Sequence, residues 1–112
     1  MNQKLLLVLK HEISAFKKAD LESHCEKAVY HLGRAHIISQ ASWIHHLMVH
    51  FLMLSFSLKR RDLREVSGQL IRIFVTVPGH VVGKVPKGNI GWSTVGLTSE
   101  KELPDDLKKI IS

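Results

Sequence analysis

The run from Ser42 to Lys59, SWIHHLMVHFLMLSFSLK, constrains this chain most. It is the most apolar long stretch, and it carries His45, His46 and His50. At helical spacing Trp43, Leu47, His50 and Leu54 fall on one side, and Ile44, Met48, Phe51, Ser55 and Leu58 on another. A helix apolar around most of its circumference belongs in the middle of a fold. The run is shorter than the ~20 residues of a membrane span and holds three imidazoles, so no span is expected. The flanking segments read as amphipathic and are expected to wrap it.

All three prolines lie after position 77, which leaves the first 77 residues free to be helical. Apolar periodicity and capping residues predict helices over about 3–18, 21–39, 43–60 and 63–77, with Asn2, Asp20, Ser42 and Asp62 as N-caps. Leu5, Leu6, Leu9, Ile13 and Phe16 mark the inner face of the first helix; Leu21, Cys25, Ala28, Val29, Leu32, Ala35 and His36 mark that of the second. In the fourth, Val66, Leu70, Ile73, Phe74 and Val77 are expected inward, and Pro78-Gly79 is expected to end it. Phe16-Lys17-Lys18-Ala19-Asp20-Leu21 resembles Leu58-Lys59-Arg60-Arg61-Asp62-Leu63, an offset of 42 residues (58 − 16). Each unit then reads as helix, basic turn, Asp cap, helix. The expected fold is all-α: two stacked antiparallel helical hairpins, a TPR-like or alpha-solenoid-like four-helix array, over 1–78. Residues 79–112 are expected to form an irregular Gly/Pro-containing tail packed on that array, in the same single domain. Val81, Val82, Val85, Ile90 and Trp92 are expected to pin it, and Pro104-Asp105-Asp106 to open a short last helix. The Gly83–Trp92 stretch lacks the glycine spacing of a phosphate-binding Walker loop.

The net charge of +6 raises acidic partners. The clearest basic cluster, Lys59, Arg60, Arg61 and Arg64, is interrupted by Asp62 and Glu65 and reads as a solvated helix end, so a nucleic-acid partner is not expected. A single cysteine, Cys25, forms no intramolecular disulfide and reads as a packed thiol. The N-terminal apolar core, Leu5 to Leu9, is followed at once by Lys10, His11 and Glu12, which is no signal peptide. Cytoplasmic residence is the expectation.

Eight histidines in 112 residues is a high content. His46 and His50 are four apart, one turn above each other on one helix face. That spacing offers two imidazoles to one metal, but Leu47-Met48-Val49 between them supplies no glutamate base, so zinc-protease chemistry is excluded. His36 lies on the apolar face of the second helix, the natural packing partner of the third. His31, about 140° around that helix, points elsewhere. His36, His46 and His50 are therefore the candidate metal ligands; three nitrogens plus water suit zinc, with copper or nickel as further options. The competing reading is core packing, each imidazole satisfied by one hydrogen bond. His45, His11 and His80 are expected to stand apart. No catalytic residue is assigned, and no enzyme is expected.

Tyr30-His31-Leu32-Gly33-Arg34-Ala35-His36-Ile37-Ile38-Ser39-Gln40, His46-Leu47-Met48-Val49-His50, Arg61-Asp62-Leu63-Arg64-Glu65-Val66 and Pro86-Lys87-Gly88-Asn89-Ile90-Gly91 together resemble a small bacterial family, domain-of-unknown-function family three-seven-zero-three. The chain departs from the family pattern at Gly33, Ser39 and Ile90, none of which removes a histidine. The resemblance implies no activity; that some members are encoded near heavy-metal resistance systems points weakly to metal. Two functions are expected from all of this. One is a non-enzymatic protein-interaction module, acting on a partner or by self-association. The other is a protein that binds a zinc-like divalent metal through histidines of the second and third helices.

Overall fold

The structure, a computed structural model, describes residues 1–97 and 99–111; Thr98 and Ser112, both within the expected tail, lie outside the described residues. Regular structure among the described residues is helical throughout: α1 (Gln3–Leu21), α2 (Cys25–Ser39), α3 (Trp43–Lys59), α4 (Leu63–Val81) and α5 (Asp105–Ile111). The all-α expectation holds. α1 packs along α2 and α3 along α4; α2 joins the two pairs through α3, and α5 rests on α1. None of the helices is long and apolar enough to cross a membrane.

Local sequence explains where the helices begin and end. Asn2 caps α1 by accepting the Leu5 N–H at 2.8 Å, and Asp62 caps α4 by accepting that of Glu65 at 3.1 Å. α1, α3 and α4 all stop in one way. Ser23, Arg61 and Gly83 take positive φ (59°, 56° and 74°) and donate to the carbonyls of Asp20, Leu58 and His80. The next residues, His24, Asp62 and Lys84, donate to Ala19, Ser57 and Gly79. This double bond pattern is a Schellman stop. The two hairpin turns thus correspond at an offset of 38 residues (61 − 23), not 42. The similarity around Asp20 and Asp62 is out of register with the structure. Asp20 lies inside α1 and pairs with Lys59 at 2.6 Å and Arg60 at 3.6 Å, while His24 holds the N-cap position of α2 and makes no side-chain cap bond.

The core joins Leu5, Leu9 and Phe16 of α1 to Ala28, Leu32 and Ala35 of α2, as the periodicity predicts. Cys25 and Leu21, by contrast, are exposed, and Leu21 is the last residue of α1 and not part of α2. α3 contributes Val49, Met53 and Phe56, so its buried side is one face and not the whole circumference. Phe51 is 52% exposed, and Trp43, Ile44, Met48 and Leu58 are exposed with it.

α4 departs furthest from expectation. Leu70 and Phe74 are 53% and 86% exposed, Val77 is exposed as well, and the buried residues are Glu65, Gln69, Arg72 and Thr76. Those four recur at 65, 69, 72 and 76, one helical stripe. They face inward because what lies there is polar: the tail's backbone and a histidine ring, whose donors and acceptors need partners once buried. Glu65 accepts from Ser93 N and Oγ at 3.0 and 2.8 Å, and Arg72 donates to the carbonyls of Trp92 and Val95. Pro78 does not end α4; it sits inside the helix on its exposed side.

Trp92 anchors the tail. Its ring meets Phe56 edge-on with centroids 5.9 Å apart, and its Nε1–H donates to the Val29 carbonyl at 3.1 Å. Asn89 ties the next turn by donating to Gly96 and Ser99 carbonyls, both at 2.9 Å. Of the expected pins, Ile90 and Trp92 pack against the core, whereas Val81 and Val82 are exposed.

Candidate metal centre

α2 delivers His36, and α3 delivers His46 and His50 from successive turns of one face. The three Nε2 atoms converge. His46 to His36 is 2.9 Å, His36 to His50 is 3.0 Å, and His50 to His46 is 3.1 Å. All three side chains are buried. The remaining histidines of these helices are elsewhere: His31 pairs with Glu12 at 2.7 Å, and His45 with the Ser42 hydroxyl at 2.9 Å.

The outer nitrogens determine which atoms the inner ones present. His36 Nδ1 is 2.6 Å from the Asn89 carbonyl, which can only accept, so Nδ1 carries the hydrogen and donates. Gln69 Nε2 donates to Glu65 Oε2 and to the Gly91 carbonyl, both at 2.8 Å. Its Oε1 therefore faces His50, and His50 Nδ1–H donates to it at 2.7 Å. Neutral His36 and His50 thus both turn bare Nε2 lone pairs toward one point. His46 Nδ1 meets His80 Nε2 at 2.8 Å, and His80 decides whether His46 Nε2 carries a hydrogen. At most one hydrogen sits among three nitrogens that converge within 3.1 Å.

The rings are held neutral. Burial is the main cause in each case, and neighbouring imidazoles add to it for His36 and His46. His46 is lowered to about 3 and His50 to about 4, the latter against an opposing pull from its Gln69 bond. His36 lies well below the ordinary imidazole range. Neutral imidazole is the form that ligates metal.

The donor set fits a transition metal. Zinc–nitrogen bonds of about 2.0–2.1 Å at tetrahedral angles need donors about 3.3 Å apart. The three nitrogens need only open by a few tenths of an ångström. Each of the three imidazoles also has its outer nitrogen within hydrogen-bond distance of a partner, the arrangement by which metal-binding histidines are oriented.

The tail supplies what the periodicity did not reveal. Asn89 orients His36 through its carbonyl, while its Oδ1 accepts the Gly91 N–H at 2.8 Å and holds the turn. Gly91 has φ 85°, and a Cβ there would lie 2.6 Å from His36 Cγ. Only glycine lets the loop lie against the imidazole. Gln69 was hidden on a helix whose apolar side was expected inward. His80, expected to stand apart, touches His46. The signals were present as the Asn89-Ile90-Gly91-Trp92 run and the polar stripe of α4, but neither names a histidine as its target.

No curated protein and no solved structure matches the chain. The family described as "Protein of unknown function (DUF3703)" matches residues 3–111, nearly the full length, and the chain belongs to it.

Proposed function

We propose that this protein binds a divalent transition metal, zinc or a close relative, through the Nε2 atoms of His36, His46 and His50. One observation carries the reading: at least two bare imidazole lone pairs are fixed on one point by Asn89 and Gln69, in a buried site where a proton is disfavoured. Three nitrogen ligands leave a fourth position open. Equilibrating untagged protein with zinc and measuring bound metal is expected to give one equivalent per chain. His36→Ala and His50→Ala are expected to abolish it, and His11→Ala to leave it intact. Zinc retained by both triad variants refutes the site.

A second reading, association with another copy of the chain, is favoured by a different observation. Trp43, Met48 and Phe51 of α3 and Leu70, Phe74 and Val77 of α4 leave two helices with exposed apolar side chains. The accessible surface is 7036 Å² for 12.7 kDa, against about 6,200 Å² for a monomer of that mass. Paired hairpins of TPR-like arrays use such helix faces for binding. Sedimentation is expected to show a dimer that Phe74→Asp converts to monomer; a wild-type monomer at high micromolar concentration refutes self-association.

A further inference from the structure

We infer that the fourth ligand of the metal is a small organic anion, a short-chain monocarboxylate, held with its apolar body in the cavity that opens on the three histidines. The inference rests on the metal reading above. The cavity is about 280 Å³, and His36, His46 and His50 all line it. An ion on their shared point would therefore border this space, and a fourth ligand could be seated in it.

Charge defines the head of the ligand. The three imidazoles are neutral, so a divalent ion keeps its full charge. Arg72 and Lys84, both cationic, also line the cavity, and among the described residues no carboxylate does. The nearest acid on the inner face of α4, Glu65, is occupied by Ser93 and Gln69. A buried charge of that size is costly unless compensated. Arg72 cannot supply the compensation, and the guanidinium is itself spent on the carbonyls of Trp92 and Val95. The compensating charge has to arrive with the ligand. Lys84, exposed at the cavity, favours approach of an anion.

The walls define the body. Val75, Val82, Val85 and Pro86 give an apolar lining. These side chains offer no hydrogen-bonding group to a sugar, so they favour an apolar body. A volume near the lower end for small-molecule sites limits the ligand to a few carbons. A carboxylate oxygen suits zinc-like ions as a fourth donor.

Cobalt(II) reports on this site without enzymatic activity, because its visible absorption responds to the number and type of ligands. Cobalt-loaded protein titrated with acetate, propionate and butyrate is expected to change spectrum saturably. Each added methylene should tighten binding about fourfold, so butyrate should bind about 15-fold tighter than acetate. Sulfate and butanol should do far less. Val75→Phe, a change at a 40% exposed position outside the ligand set, should keep the cobalt spectrum and lose the response to butyrate. Bound cobalt whose spectrum ignores butyrate, or responds to acetate and butyrate alike, overturns the inference and leaves the metal reading standing. Bound cobalt with the butyrate response intact in Val75→Phe overturns the cavity assignment. Failure to bind cobalt overturns both.

Discussion

Gly91 and Gly83 make a matched pair of probes for the contact between the tail and the proposed metal centre. Both have left-handed backbone, φ 85° and 74°. An alanine pays for that conformation at either place, about 1–2 kcal/mol. They differ in what the new methyl meets. At Gly83 nothing lies within 4 Å, whereas at Gly91 the Cβ falls 2.6 Å from His36 Cγ and 2.8 Å from its Nε2. Overpacking of that kind adds about 1–3 kcal/mol. A chain of 112 residues has an unfolding entropy near 0.24 kcal/mol/K, so 1 kcal/mol corresponds to about 4 °C. Gly83→Ala is expected to melt about 4–8 °C below wild type and Gly91→Ala about 8–20 °C below. Zinc at 100 times its dissociation constant stabilises by about 2.7 kcal/mol, a rise of about 11 °C. Calorimetry with and without zinc should show that rise in wild type and Gly83→Ala. Gly91→Ala, which displaces the His36 ring, should lose most of it. Equal destabilisation by the two alanines, or a full zinc response in Gly91→Ala, would refute the reasoning.

Three further outcomes follow from particular contacts. In metal-free protein the His46 and His50 pKa values, about 3 and about 4, lie below the unfolded value near 6.5. The unfolded chain then binds more protons, so stability falls as pH drops from about 6.5 toward 4, by about 3 kcal/mol from His50 alone; denaturant titrations at pH 7 and pH 4.5 with equal midpoints would contradict this. Met53→Ala, at a fully buried site, should cost about 2–5 kcal/mol, and Phe51→Ala on the exposed face less than about 0.5, by urea unfolding; a larger loss at Phe51 would bury that face. Asp62→Ala should cost about 1 kcal/mol as a lost cap, and Asp20→Ala, a surface ion pair, about half of that or less; equal losses would restore Asp20 as a cap.

The centre was legible in the sequence where its logic is local. His46 and His50 share a face because four residues make roughly one turn, and that follows from helix geometry alone. His36 was found because Ala28, Leu32 and Ala35 define the inner face of α2 before any partner is known. The partners that orient the rings were not legible, because they come from far along the chain. Asn89 is 53 residues from His36, and Gln69 is 19 from His50. Periodicity says which face of a segment is apolar, and it contains no term for a loop that crosses a ring. The 42-residue similarity has a related limit: a basic-Asp-Leu string recurs without marking equivalent places, while the stops that define the hairpins are set by Ser23 and Arg61.

α4 shows where the rule that apolar faces turn inward gives way. Its apolar residues at 70, 74 and 77 and its polar residues at 65, 69, 72 and 76 both recur at helical spacing, so the sequence offers two stripes. The side that faces in is decided by what it meets. A tail whose backbone carbonyls and N–H groups are buried, and an imidazole that must be held at Nδ1, each leave a donor or acceptor that is costly to strand. Glu65, Gln69 and Arg72 answer those groups, and no buried side-chain nitrogen or oxygen among the described residues is left without a partner. Turning Leu70 and Phe74 inward instead would gain apolar burial and leave His50, Gly91 and Ser93 unanswered. The same choice places the apolar stripe outside, where it stays in contact with solvent until something covers it. The polar inner stripe that holds the histidines and the apolar outer stripe proposed to bind a second copy are thus two consequences of one orientation of α4.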